Sequence, residues 1–80
     1  MKVQLNLFAS LTQYLPKSGS SGFSHLMELE EGTTIQALLD HLHIPREQPK
    51  IIFVNGIHAD QTRVLKDGDR LGVFPPLAGG

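Results

Sequence analysis

Apolar and polar residues alternate from the start of the chain. Val3, Leu5 and Leu7 fall on one side, Gln4 and Asn6 on the other. A period of two predicts a half-buried strand. Phe8 stands where the strand ends. From Ala9 to Leu15 a short helical turn is expected, with Phe8, Leu11 and Leu15 at offsets of three and four and Pro16 to stop it. The run SGSSG at 18–22 is low in complexity and predicts a mobile surface loop. Alternation resumes over Phe23 to Glu30. Phe23, His25, Met27 and Leu29 share one face and Ser24, Leu26, Glu28 and Glu30 the other, with Leu26 blurring the pattern. Glu31-Gly32 predicts a turn.

The period then changes. Ile35, Leu38, Leu39 and Leu42 lie at i, i+3, i+4 and i+7, one apolar stripe of a helix. Thr33 with Gln36 fits a capping box at its start, and Pro45 is expected to end it. Ile51 to Val54 is a short apolar strand. Asn55-Gly56 follows it, a strong two-residue hairpin signal because both positions need positive φ. A return strand is expected over Ile57 to Asp60, a turn at Lys66-Asp67-Gly68-Asp69, and a last strand over Arg70 to Phe74. Pro75-Pro76 forbids its continuation inside a sheet.

The predicted order is β, short helix, β, α, β, β, β. That order is an α+β fold, with a mixed sheet of about five strands packed on one main helix. The helix stripe and Val3, Leu5, Leu7, Met27, Leu29, Leu71 and Val73 supply the expected core. The first two strands are expected to form a hairpin, and the last to lie beside the first.

Size and composition narrow what such a fold can do. At 80 residues the chain is one domain, of a size that buries only roughly 60% of its unfolded surface. It has no cysteine, so neither a disulfide nor a thiol nucleophile is available. Seven basic and eight acidic residues leave a net charge of −1, which gives no electrostatic footprint for nucleic acid or an anionic membrane. No apolar run approaches the ~18 residues of a membrane span. The alternating N-terminus does not read as a signal peptide. A cytoplasmic protein without nucleic-acid or membrane partners is the expectation.

Side-chain chemistry is sparse. His41 and His43 are two apart on the predicted helix and point to different faces, while His25 and His58 lack a second ligand at metal spacing. Surface histidines and no metal site are expected. Ser10, Ser18, Ser20, Ser21 and Ser24 fall in turns or loops. GTT at 32–34 reads as a helix cap, and DGD at 67–69 as a turn, since the rest of a calcium loop is missing. Intrinsic catalysis is not expected.

The ending VFPPLAGG is what remains. A strand aims the chain outward, and Pro75-Pro76 holds it near polyproline geometry. Ala78, Gly79 and Gly80 then make a thread thin enough for a narrow channel, with glycine accepting whatever φ and ψ the channel imposes. The flexible tail is placed at about 75–80. Phe74 and Pro75 either cap the core or join Pro76 and Leu77 in a patch that docks on partner enzymes. Leu77 is assigned to partner contact, because a residue beyond two prolines can hardly reach the core.

VFPPLAGG, LKDGDRL at 65–71, VNG at 54–56 and EEGTTIQALL at 30–39 together resemble the ThiS/MoaD family of ubiquitin-like sulfur carriers. The resemblance runs along essentially the whole chain, and the Phe-Pro-Pro-x-Ala-Gly-Gly ending is most similar to the molybdopterin synthase branch. It implies a β-grasp fold. It also implies that an E1-like adenylating enzyme uses ATP to activate the Gly80 carboxylate, and that a sulfur donor converts it to a thiocarboxylate. A molybdopterin synthase large subunit then binds the tail, in a heterotetramer, and sulfur passes to a pterin precursor. On this resemblance the chain itself binds no cofactor and is a carrier subunit rather than a catalyst. The residues leave open a ubiquitin-like modifier joined through Gly80 to lysines, a carrier for a tungsten-pterin or thiamine pathway, and a plain interaction module.

Overall fold

In the computed structural model, residues 1–16, 22 and 24–76 are described. Five strands make one mixed sheet: β1 Lys2–Leu7, β2 Ser24–Glu28, β3 Ile51–Val54, β4 Ile57–His58 and β5 Arg70–Phe74, in the order β2-β1-β5-β3-β4. β1 and β2 are the expected antiparallel hairpin pair, and β5 lies parallel to β1 and antiparallel to β3. One helix, α1 (Ile35–His41), lays its stripe over the sheet, and a 3-10 helix (Ala9–Tyr14) follows β1. This is the ubiquitin-like β-grasp that the sequence implied. The expected loop at 18–22 lies outside the described residues except for Gly22, as does the tail beyond Pro76.

Period-two residues of the central strands fill the core. Val3, Leu5, Leu7, Leu71 and Val73 are all fully shielded, and Ile35, Leu38, Leu39 and Leu42 close over them. Leu29, expected among them, is only partly buried, packed against the edge of this cluster. Seven further residues join it: Leu11, Leu15, Ile44, Ile52, Val54, Ala59 and Leu65.

Several boundaries differ from expectation for local reasons. Thr34, not Thr33, caps α1, its hydroxyl accepting from Ala37 N–H at 3.1 Å. Thr33 instead donates its hydroxyl to the Glu30 carbonyl at 2.7 Å, and Gln36 reaches forward to Asp40 Oδ1 at 2.7 Å. That Glu30–Thr33 turn also stops β2 at Glu28, short of the expected Glu30. β4 ends at His58 rather than Asp60. The Asp60 carboxylate turns the chain there by accepting from Thr62 N–H at 2.8 Å and the Thr62 hydroxyl at 2.6 Å. These two bonds hold its pKa below the ordinary carboxylate value.

α1 ends before Pro45 is reached. His43 adopts φ 65°, with its N–H donating to the Asp40 carbonyl at 3.0 Å and Ile44 N–H to the Leu39 carbonyl at 3.1 Å. This is a Schellman cap with buried Ile44 packed at Leu39, and it puts an exposed histidine where glycine is preferred. Relieving the left-handed strain should help. His43→Gly is expected to stabilise the domain by about 1 kcal/mol, read as a melting temperature raised by about 4–8 °C. An unchanged or lower melting temperature would count against the strain argument.

The Asn55-Gly56 turn is as expected, with φ 53° and 82°. The second turn is stapled to the sheet. Lys2 N–H donates to Asp67 Oδ1 at 2.7 Å, Gly68 N–H to the Lys2 carbonyl at 2.8 Å, and Gln4 N–H to the Asp69 carbonyl at 3.0 Å. Main-chain groups thus occupy DGD, as its turn reading implies.

Candidate functional site

β5 leads to the tail, and its setting decides how firmly the tail is based. It is paired on both sides: Val73 lies opposite Leu7 on β1 and Ile52 on β3, and Phe74 opposite Ile51. Phe8 N–H adds a bond to the Val73 carbonyl at 3.2 Å. Val73, the last core residue among the described residues, is therefore anchored two residues before Pro75. Pro75 is half-buried and Pro76 exposed. Leu77, Ala78, Gly79 and Gly80, the remaining residues of the expected site, lie outside the described residues.

Phe74 is half-buried and lies off the main core. Strand alternation turns it away from α1, to the outer face of the sheet. There its ring stacks on Phe8, with centroids 4.2 Å apart and planes within 3°. Phe53 meets it edge-on at 5.8 Å and 89°, and His58 meets Phe53 edge-on at 5.8 Å and 90°. Gly72 lies beneath the rings. A Cβ there would meet Phe74 Cε1 at 3.4 Å and Phe8 Cε2 at 3.8 Å, ordinary van der Waals contact, so the two rings lie directly over this stretch of strand.

The outcome is a half-buried aromatic platform on a face that antiparallel sheets usually give to polar residues. The remainder of that face is mostly polar, apart from exposed Leu26 opposite Gln4 and Ile51 opposite Phe74. Gln4 bonds Asn6 at 3.3 Å and Ser24 at 3.4 Å, and Arg70 is exposed. The platform therefore sits only at the end of the sheet from which the tail departs. Aromatic clusters of this kind form the anchors of protein interfaces.

Sequence reasoning missed Phe8, Phe53, Gly72 and His58 as members of this site. The spacing of Phe8 to Leu11 and Leu15 suggests that it belongs with the short helix. It in fact precedes the 3-10 helix in an extended conformation, and so continues the alternation of β1 onto the outer face. The signal was present in that alternation, since Phe8, Phe53 and Phe74 each follow a core residue by one position.

Of the histidines, His58 joins the aromatic platform through Phe53. His41, His43 and His58 are exposed and His25 is half-buried. Among the described residues no three His, Cys, Asp or Glu side chains are grouped so as to hold a metal. Nor, among them, is any helix long and apolar enough to cross a membrane.

A β-grasp sheet with an aromatic platform at the foot of a Pro-Pro-x-Ala-Gly-Gly tail defines a ubiquitin-like carrier or modifier class. The chain belongs to the ThiS family, whose model matches residues 7–80. Its structure is similar to a putative molybdopterin converting factor, subunit 1, from Pyrococcus furiosus. That pair is 29% identical, with a TM-score of 0.70 over 95% of this chain and 98% of the other. It also resembles small archaeal modifier protein 1 of H. volcanii, at 21% identity and TM-score 0.71 over 95% and 98% of the two chains. Subunit 1 in the complex of subunits 1 and 2 of the molybdopterin-converting factor from Helicobacter pylori is similar in fold as well. Its identity is 20% and its TM-score 0.63, with both chains covered fully. No curated protein matches the sequence.

Proposed function

We propose that this chain is the sulfur-carrier subunit of a molybdopterin synthase, with the carboxylate of Gly80 as the carrier site. The family match that continues through Ala78-Gly79-Gly80 carries the reading. The 29% likeness to a putative molybdopterin converting factor subunit supports the choice of pathway.

The chemistry follows from the carboxylate. An α-carboxyl has a pKa of about 3.3–3.7 and is ionised at neutral pH. Its negative charge resists attack by another anion, so sulfur cannot enter directly. An E1-like partner with ATP converts the carboxylate to an acyl-adenylate, releasing pyrophosphate. Sulfide-level sulfur from a donor then attacks the acyl carbon and AMP leaves, which puts a C–S bond in place of one C–O bond. The thiocarboxylate enters the large subunit and gives its sulfur to a pterin precursor, and water restores the carboxylate. The chain supplies a thread and a docking face, and no side chain of its own need move a proton.

In this reading Phe8, Phe53 and Phe74, with Pro75, Pro76 and Leu77, dock on the partner and set where the thread begins. Phe74→Ala is expected to weaken binding to the cognate large subunit by about 2 kcal/mol, or roughly 30-fold. A calorimetric titration that returns wild-type affinity would remove the platform from the interface.

The function itself is tested by intact mass. Incubation with the cognate E1-like enzyme, ATP and a sulfide source should shift the chain by one oxygen-to-sulfur exchange, and adding the large subunit and pterin precursor should reverse it. No shift would overturn the carrier reading. A shift followed by lysine-linked conjugates that survive thiol reductant would place the chain among protein modifiers instead.

A further inference from the structure

We propose that the Asn55-Gly56 turn modifies itself. Asn55 loses its side-chain amide as ammonia, at a rate set by how often its bonds to Asp69 and Arg70 open, and the product loosens this end of the sheet. The inference rests on the β3–β4 turn alone and does not depend on the role of Gly80.

An asparagine followed by glycine carries the means of its own conversion. The main-chain nitrogen of the glycine attacks the side-chain Cγ of the asparagine. The bond from Cγ to the amide nitrogen breaks, and that nitrogen leaves as ammonia with the proton of the attacking group. A cyclic succinimide remains. Water opens it at either carbonyl, giving aspartate or, with the main chain rerouted through the side chain, isoaspartate. Glycine favours the attack because it has no side chain to crowd the nitrogen and its backbone bends freely. The chain has two asparagines. Asn6 precedes the fully buried Leu7 inside β1. Asn55 precedes Gly56, where a Cβ would meet nothing within 4 Å.

The fold holds this reaction back. Asn55 Nδ2 donates to Asp69 Oδ1 at 3.0 Å, and Asn55 Oδ1 accepts from Arg70 N–H at 2.9 Å. The Asn55 main-chain N–H donates to the Arg70 carbonyl at 2.8 Å. Both ends of the carboxamide are thus committed to the start of β5. Cγ can swing to the Gly56 nitrogen only after both side-chain bonds break, one of them to a buried carboxylate. Opening of the turn is a local event with its own free energy, below that of global unfolding. The neighbouring Asp67-Gly68 step is held differently, with Gly68 N–H donating to the Lys2 carbonyl at 2.8 Å. Isomerisation there would leave the mass unchanged, so the two sites are told apart.

The product cannot remake the lock. Aspartate at this position presents an acceptor where Nδ2 donated, so two carboxylates would meet across the 3.0 Å that the bond now spans. Like charges so placed cannot both stay ionised without cost. The charged residues flanking Asp69 are Lys66, Asp67 and Arg70, all exposed, and solvent weakens what the two cations can offset. Isoaspartate goes further, because it adds a main-chain atom to a two-residue turn. β4 has only Ile57 opposite Val54 and His58 opposite Phe53 to resist the resulting shift. His58 is then drawn from its edge-on contact with Phe53, at the border of the aromatic platform.

The test incubates the full chain in mildly alkaline buffer, below its melting transition, and follows position 55 by peptide mapping with mass spectrometry. Exchange of NH for O marks the acid. The folded chain should convert roughly a hundredfold more slowly than the same chain unfolded in guanidinium chloride. Asp69→Ala removes one bond of the lock and should speed the folded chain at least about tenfold. Asp67→Ala leaves both side-chain bonds of Asn55 in place and should match wild type within about twofold. Asn55→Asp copies the aspartate product and should lower the melting temperature by at least about 8 °C. Should Asp69→Ala fail to fold, the folded-to-unfolded ratio of the wild-type chain and the melting of Asn55→Asp decide the matter. The proposal is overturned if position 55 keeps its amide in the unfolded chain, or if folded and unfolded chains convert at one rate. It is equally overturned if Asp69→Ala converts no faster than Asp67→Ala, or if Asn55→Asp melts with the wild type.

Discussion

One residue appended after Gly80 is expected to abolish thiocarboxylate formation while the domain stays folded. In the proposed carrier role the reacting group is the main-chain carboxylate of Gly80, and an extra residue converts it to an amide that an activating enzyme cannot adenylate. The new terminus is also displaced by about 3.3–3.6 Å. An appended leucine adds both a side chain and a displacement, whereas an appended glycine tests displacement alone. Both should leave the mass unchanged after incubation with activating enzyme, ATP and sulfide. Stability should alter by less than about 0.5 kcal/mol, as for surface changes away from the core, because the last core residue among the described residues is Val73. An extended chain that still gains sulfur would contradict the assignment of Gly80.

Asp69→Ala is expected to destabilise the domain by about 3 kcal/mol. Asp69 is the one buried charged or polar residue among the described residues, at 6% exposure. Its carboxylate accepts from Asn55 Nδ2 at 3.0 Å and from Lys66 N–H at 2.8 Å. Asn55 in turn accepts from Arg70 N–H at 2.9 Å. One side chain therefore ties the β3–β4 turn to the start of β5. Alanine leaves the Asn55 amide and the Lys66 N–H without their acceptor, at about 1–3 kcal/mol each. In a domain of this size that lowers the melting temperature by about 12–24 °C. Asp67→Ala is the comparison. It loses the exposed bond from Lys2 N–H and should cost about 1 kcal/mol or less. A melting temperature for Asp69→Ala within a few degrees of wild type would show that the knot is dispensable.

Asp69 also shows where reading a sequence reaches its limit. DGD is legible as a turn, but which aspartate is buried depends on Asn55, fourteen positions earlier. The same holds for the loop that follows β4. Arg63 and Gln61 offer their carbonyls to Ile35 and Gln36 N–H, at 2.9 and 2.8 Å, so this loop satisfies the start of α1. That docking buries Leu65 and Ala59, which have no periodic neighbours to announce them. By contrast, Val3, Leu5, Leu7 and the stripe of α1 were legible because one strong period places each of them. The pairing of β5 with β1 followed from closing five short strands around a single helix. The aromatic platform lay between these cases. Its residues sit at alternation positions that could be read, but only the sheet order brings β1, β5 and β3 side by side.

That sheet order has a mechanical consequence. A pull on the tail is transmitted through Pro75-Pro76 to β5, along the axis of the strand. Because β5 lies between β1 and β3, its ladders on both sides resist together in shear, rather than parting one bond at a time from an edge. In the proposed carrier role, a partner drawing on the tail loads both ladders of a central strand at once.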